Sequence, residues 1–170
     1  MCIRDSGEAD TAFREAGYRL FGFFPLPEKP VRLPALLRQR ALVNPDAGRN
    51  AYGIRVRDST GRAFVAVPRI FSKVSAYAAG TKAYIDHVEM RLFECVETAD
   101  SLLLLDQPRP GYPPAALLDW SEQIGPNTDY VLHPEEILAE HVAMLLLGEP
   151  GVDKRGKELL EGLRRVMSDE

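Results

Sequence analysis

Two glutamates, Glu136 and Glu140, are the residues whose type and spacing most clearly suggest chemistry. Residues four apart in an α-helix lie on the same face, so both carboxylates project together, followed along that face by Ala143 and Leu147. Two like charges at this spacing destabilise a helix by a few tenths of a kcal/mol in water, and by more where water is excluded. The pair therefore requires a positive partner, either a metal ion or basic side chains.

The segment around these glutamates is typical of a helix that is buried on most of its surface. Pro134 suits the first helical position, two glutamates fall in the first turn, where the helix dipole favours anions, and apolar residues continue up to Gly148. We predict a helix over 133–148. From spacing alone an alternative stays open, in which the first-turn glutamates only decorate the helix N-terminus and Glu140 faces solvent or an arginine.

A family resemblance gives these glutamates a specific role. The residues Glu136-Ile137-Leu138-Ala139-Glu140 resemble the E-x-x-[SA]-[DE] helix of the gluzincins, the thermolysin-like zinc peptidases, and the wider stretch 127–147 is similar to the C-terminal helix of uncharacterised bacterial proteins in that group. In such enzymes the first glutamate is the third protein ligand to zinc, and the acid four residues later hydrogen-bonds a zinc-bound histidine. The resemblance implies that Glu136 is a metal ligand and that Glu140 orients a histidine.

The other half of such a zinc site is absent from this sequence. Catalytic zinc takes three protein ligands and a water molecule, and the family draws two of them from an H-E-x-x-H helix. The sequence has three histidines, His87, His133 and His141, and no two of them are four residues apart. We expect zinc in the full-length protein, none bound by these 170 residues alone, and no peptidase activity without the missing region.

The three histidines have separate predicted roles. His87 alternates with Glu89 and Arg91 on the polar face of a predicted strand, where a solvated side chain is expected. His133 is predicted to flank or cap the glutamate helix, and a catalytic role as a hydrogen-bond donor to substrate stays open. His141 points about 100° away from the preceding glutamate on the helix, which favours a structural role.

The first six residues, Met1 to Ser6, resemble a translated sequencing-adapter remnant. We therefore expect the natural protein to extend upstream, with the H-E-x-x-H region in that missing part of the same chain. A real but disordered terminus is the alternative.

The elements that position the glutamates form a predicted α+β fold, a small, mostly antiparallel sheet flanked by N-terminal and C-terminal helices. Helical spacing appears on both sides of a proline-rich connector in 7–48, and period-two alternation begins an antiparallel β region over 49–110. Residues 111–170 are predicted to be helical again. The predicted helices cover 10–20, 33–42, 115–124, 133–148 and 152–167, and the predicted strands cover 52–57, 63–70, 84–96 and 102–105.

Composition excludes several classes of partner. The 170 residues are 45% hydrophobic, enough for one folded unit. The net charge is -4, and the Arg and Lys residues are scattered instead of gathered into a stripe, which argues against nucleic acid as a partner. No apolar run approaches the ~20 residues that span a bilayer, so we expect no membrane partner and a cytoplasmic protein, although an export signal would be lost with a missing N-terminus. Cys2 and Cys95 support neither a disulfide framework nor a zinc ribbon.

Two functions from different classes follow. The first is the C-terminal part of a zinc metallopeptidase that acts on a peptide or protein substrate, in which the sheet forms part of the cleft wall. The alternative is a non-catalytic α+β interaction domain, in which the hairpin and a strand edge bind a partner and the glutamates pair with arginines such as Arg38 or Arg40. An exposed glutamate face favours the first, and glutamates neutralised by internal arginines favour the second.

Overall fold

The structure is a computed structural model that describes residues 7–42, 52–76, 80, 83–106, 111–131 and 133–168. The predicted adapter-like start, 1–6, and the predicted boundary at 48 and 49 lie outside the described residues. The fold is α+β, as predicted, with a six-stranded sheet and helices from both ends of the chain. The helices are α1 (Gly7–Leu20), α2 (Ala35–Arg40), α3 (Trp120–Ile124), α4 (Pro134–Leu147) and α5 (Lys154–Ser168). The strands are β1 (Phe23–Pro25), β2 (Val31–Arg32), β3 (Tyr52–Arg57), β4 (Ala63–Ser72), β5 (Val88–Glu97) and β6 (Leu102–Leu104).

The sheet has the strand order β1-β3-β4-β5-β6-β2, and every pairing is antiparallel except that of β2 with β6. The predicted hairpin is confirmed as β3–β4, with Arg57 opposite Ala63. Its turn is held by Asp58, whose Oδ1 accepts hydrogen bonds from the amide and the hydroxyl of Thr60, at 2.9 and 2.6 Å. An aspartate that bonds the backbone two residues on is the usual chemistry of such turns.

Two predicted elements begin in a different conformation. The strand predicted from Tyr84 starts as a 3-10 turn, Tyr84–His87, and β5 follows it, so His87 lies before the strand and not on its polar face. The helix predicted over 115–124 divides into a 3-10 turn, Pro114–Ala116, and the short α3. The chain is extended between them because the amide of Leu118 bonds the carbonyl of Arg57 at 2.9 Å.

The proline-rich connector also contains more structure than predicted. It holds β1 and β2, which are three and two residues long and pair at the two ends of the strand order. Strands this short show no alternation in sequence, so the pattern that identifies longer strands misses them.

Both faces of the sheet are covered by apolar side chains. One face of β4 and β5 joins the main core, and the residues of the other face, among them Val67, Phe71 and Phe93, pack with Leu37 of α2 in a second cluster. Phe93 has no exposed surface. The two-residue alternation predicted a half-buried sheet, but the centre is buried on both sides.

The main core joins all three predicted segments. Tyr18, Ile54 and Ile137 come from α1, β3 and α4 and share one cluster of buried residues. Helix α1 approaches α4 closely at Gly17, where a Cβ would lie 2.7 Å from Cδ1 of Leu138. No helix in the described part of the chain is long and apolar enough to cross a membrane. The core thus fixes α4 against α1 and the sheet.

Candidate metal-ligand helix

Helix α4 has the predicted boundaries and caps. Pro134 occupies its first turn, His133 is the N-cap, and Gly148 ends it in the left-handed conformation with φ of 69°. The amides of Gly148 and Glu149 donate hydrogen bonds to the carbonyls of Leu145 and Met144. The glutamates are therefore displayed on a regular, well-terminated helix.

His133 caps the helix through its ring. Nδ1 accepts a hydrogen bond from the amide of Glu135 at 3.1 Å. Burial, and to a lesser extent the charge of Arg69, lowers the pKa of His133 to about 4. The imidazole is neutral at pH 7, and because Nδ1 is the acceptor, the proton lies on Nε2. His133 can thus still act as a hydrogen-bond donor, the role that the sequence left open.

Glu135 is held by α1, a role that the sequence analysis missed. Its Oε2 accepts a hydrogen bond from the hydroxyl of Tyr18 and lies 3.9 Å from Nε of Arg14. Burial, and then the hydrogen bond to Glu135, raises the pKa of Tyr18 far above its ordinary value, so the phenol stays protonated. Tyr18 also stands edge-on to Tyr52, with ring centroids 4.7 Å apart. These contacts fix the first turn of α4.

Glu136 and Glu140 differ in exposure. Glu136 is half-buried at the start of the helix, and Glu140 is exposed one turn later. Both belong to the stripe that continues with Ala143 and Leu147, as the four-residue spacing predicted. The carboxylate of Glu136 is therefore partly covered by the protein and that of Glu140 is in solvent, and both lie on the same side of α4.

The exposed side of α4 is unusually apolar. Its exposed residues before the C-cap form an arc of about 120° around the helix axis, which we call the open face: Ala139, Glu140, Ala143, Leu146 and Leu147. Leu146 and Leu147 are 72% and 73% exposed, although the opposite side of the helix, with Ile137 and Leu138, lies in the core. Large exposed apolar surfaces mark sites of interaction with another segment or chain.

The other two histidines lie away from the open face. His141 is fully buried; its Nδ1 lies 2.7 Å from the carbonyl of Ile137 and its ring centroid 4.7 Å from that of Phe21. This placement agrees with a structural role. His87 is half-buried in the 3-10 turn before β5, and Glu89 and Arg91 form an ion pair with Nε and Oε1 2.6 Å apart. The described histidines are therefore not gathered around Glu136.

The arginines named as alternative partners are in another part of the fold. Arg38 and Arg40 lie on α2, which packs through Leu37 in the second cluster. Arg40 donates a hydrogen bond to the carbonyl of Lys73 at 3.3 Å. Glu140 forms no ion pair with any described residue.

Within the described residues, no three His, Cys, Asp or Glu side chains are grouped so that they could hold a metal ion. Glu136 can supply one ligand, and a complete site needs others. No family model, curated protein or solved structure matches the chain. The assignment of α4 therefore depends on its own geometry and on the resemblance of its glutamates.

A charged groove of about 580 Å³ lies elsewhere in the described structure, and no residue of α4 lines it. Asp119 is paired there: its Oδ1 accepts from the amide of Arg57 at 2.9 Å and its Oδ2 from Nε of Arg57 at 3.1 Å. Arg155 donates to carbonyls at the end of α3. Trp120 packs in the core, at 4% exposure. These contacts secure α3 and α5 to the sheet.

Proposed function

We propose that this chain is the C-terminal part of a zinc-dependent metallopeptidase in which Glu136 is the third protein ligand to zinc. The observation that supports the proposal is the open face of α4. A helix that is apolar on nearly every side leaves one arc uncovered; Glu140 lies in that arc, and the half-buried Glu136 lies one turn before it on the same side of the helix. A second helix packed there would cover Leu146 and Leu147 and meet both carboxylates.

The two glutamates have complementary roles in this proposal. The carboxylate of Glu136 binds the metal. Because Glu136 is half-buried at the start of α4, its side chain has less freedom to move than an exposed glutamate. The carboxylate of Glu140 accepts a hydrogen bond from a histidine ligand, which fixes the tautomer of that ring and raises its basicity. Zinc, when bound, lowers the pKa of a coordinated water toward ~7 and polarises the substrate carbonyl.

The remaining parts of the proposal concern the substrate and the missing region. The proton on Nε2 of His133 is available to a substrate oxygen near the start of α4, and the sheet forms part of the cleft wall for a peptide. The two histidine ligands and the general base come from an H-E-x-x-H region outside these 170 residues. A cytoplasmic location is part of the same proposal.

The 170 residues alone should not retain zinc, because one carboxylate cannot replace a set of three ligands. We expect metal analysis of the purified chain, after dialysis against a chelator, to find far less than one zinc per chain. A stoichiometric, chelator-resistant zinc ion would contradict the proposed division of the site.

The sequence of the natural gene tests the proposal without any biochemistry. We expect the reading frame upstream of codon 7 to encode H-E-x-x-H within roughly two hundred codons, the separation that one peptidase domain allows. A complete natural reading frame without that motif would overturn the metallopeptidase assignment.

A non-catalytic interaction domain remains the second candidate, and the exposed leucines of the open face favour it independently of any metal. It differs from the first in one measurable respect. In an interaction domain, replacing Glu136 with glutamine leaves partner binding unchanged if Leu146 and Leu147 are intact, whereas a zinc ligand cannot be replaced in this way.

A further inference from the structure

Among the described residues, Arg69 on β4 is a cation without an ion-pair partner. Its side chain is half-buried, its Nε is buried without a hydrogen-bond partner, and it forms no ion pair with any described residue. Burial lowers the pKa of this guanidinium, but an arginine still stays charged at neutral pH. Burying an unpaired charge costs several kcal/mol in general, so an arginine without a partner in the described part of the chain is a candidate for binding an external anion.

A second guanidinium lies directly across the sheet. Arg69 on β4 pairs with Arg91 on β5 in the antiparallel register, and side chains opposite each other have Cβ atoms about 5 Å apart. Arg91 is already neutralised by Glu89, with Nε and Oε1 2.6 Å apart. Two like charges at such a position destabilise a sheet unless an anion lies between them.

The described groups around Arg69 leave a local charge of about one positive unit. Cys95 is the titratable group that acts electrostatically on Arg69, but burial raises the pKa of its thiol, so Cys95 stays neutral. His133 is neutral, as its lowered pKa requires. Glu97, which also acts on Cys95, is paired with Lys29 at 2.6 Å. No carboxylate among these groups remains to neutralise Arg69.

Apolar side chains lie beside Arg69 on the same face of the sheet. Val67 and Phe71 lie on either side of Arg69 on β4 and belong to the second cluster, and the guanidinium of Arg91 lies 6.0 Å from the centroid of the Phe71 ring. An anion at Arg69 therefore meets one net charge and hydrocarbon. That combination matches a singly charged carboxylate on an organic group better than a doubly charged, strongly hydrated phosphate.

We propose that Arg69, assisted by Arg91, binds the carboxylate of a small organic acid or of a peptide C-terminus. The guanidinium presents a planar pair of N–H donors that matches the two oxygens of a carboxylate, and partial burial strengthens the contact. The inference goes beyond the proposed metal site and does not depend on it, because carboxylate binding is measured on this chain in the absence of zinc.

The test is an NMR titration of the 15N-labelled 170-residue chain at pH 7 with N-acetyl-phenylalanine, and in parallel with its uncharged amide. We expect saturable shifts of the Arg69 and Arg91 amide signals with the acid and none with the amide. Arg69→Gln should weaken binding at least tenfold, and Arg69→Lys, which keeps the charge and loses the planar fork, should weaken it less. Arg164→Gln, which alters an exposed arginine on α5, should bind like the parent.

Each other outcome overturns the proposal. Equal binding of the acid and the amide would show that the carboxylate is not recognised, and unchanged binding by Arg69→Gln would show that recognition lies elsewhere. Tighter binding of inorganic phosphate than of the acid would exclude the assigned ligand class. If Arg69→Gln does not fold, Arg69→Lys decides the matter, because a lysine that binds as tightly as arginine contradicts a role for the guanidinium fork.

Discussion

Three acidic or basic residues at the start of α4 serve different purposes. His133 caps the helix, Glu135 is bonded to Tyr18 of α1, and Glu136 lies on the side that leads to the open face. The metal-ligand role proposed for Glu136 depends on the other two, because they fix the backbone of the turn that carries it. The contacts that fix this turn can be tested by measuring the free energy of unfolding of variants.

Tyr18→Phe tests the anchor of Glu135. Removing the hydroxyl leaves the half-buried carboxylate of Glu135 beside Arg14 of α1, whose Nε lies 3.9 Å from Oε2. Hydrogen bonds to charged groups contribute about 1.5–3 kcal/mol, so we expect a loss of about 2 kcal/mol in the free energy of unfolding by urea. Tyr130→Phe, at a tyrosine that is 47% exposed, is the matched control and should change nothing. Equal stability of the two variants would show that the anchor is unimportant.

His133 predicts a specific dependence of stability on pH. Its pKa is about 4 in the folded chain and about 6.5 when unfolded, so the unfolded chain binds the proton more readily. The stabilisation is complete above pH 6.5 and is lost as the pH falls from 6.5 through 4. The shift sets a ceiling of about 3 kcal/mol, and partial exposure reduces the expected effect to about 1–2 kcal/mol.

The matched variant for this effect is His133→Asn, which keeps a cap acceptor and does not titrate. Urea unfolding at pH 7 and pH 4.5 should show that the parent loses about 1–2 kcal/mol more than the variant between the two pH values. Other groups titrate in both proteins, so only the difference reports His133. Parallel pH profiles would contradict the lowered pKa.

At the scale of elements, the open face of α4 should contribute little to the stability of this chain. Exposed side chains usually change stability by less than about 0.5 kcal/mol, so the double variant Leu146→Gln, Leu147→Gln should unfold like the parent. Met144→Ala on the buried side of the same helix should cost about 2–3 kcal/mol. A loss above 2 kcal/mol in the double variant would mean that the face is already packed within the chain.

The start of α5 depends on a close backbone contact. A Cβ at Gly151 would lie 2.4 Å from the amide nitrogen of Lys157 and 2.5 Å from the carbonyl carbon of Gly156, and backbone atoms cannot move aside as a side-chain tip can. We expect Gly151→Ala to cost about 2 kcal/mol in thermal or urea unfolding. Val152→Ala, at the next and 67% exposed residue, should remain within about 0.5 kcal/mol of the parent. Similar stabilities of both variants would refute this contact.

At the scale of the whole molecule, local sequence patterns predicted the helices and strands well, but they predicted the contacts between these elements poorly. The α+β class, the β3–β4 hairpin and the limits of α4 follow from periodicity, turn residues and caps, which act within a few positions. The bond between Tyr18 and Glu135 joins residues 117 positions apart, and no local pattern contains it. The placing of Arg69 opposite Arg91 likewise depends on strand register, which only the assembled sheet defines.

The candidate site was predictable to the same limited extent. Spacing placed Glu136 and Glu140 on one side of α4, and the structure bears this out together with an exposed apolar arc around them. Their proposed partners lie outside the sequence, so neither periodicity nor packing within the chain reveals them. In our proposal, a further segment or chain packs on the open face.

The zinc content of the protein expressed from the complete natural gene tests the central claim most directly. We predict one zinc per chain in the parent and in Glu149→Gln, which alters an exposed glutamate just beyond the same helix, and a loss of most of the zinc in Glu136→Gln with the fold intact by circular dichroism. Glu140→Gln should weaken zinc binding about 10–100-fold, the usual effect of losing an orienting carboxylate. Full zinc occupancy in Glu136→Gln, measured after the same chelator treatment, would contradict the assignment of Glu136 as a ligand.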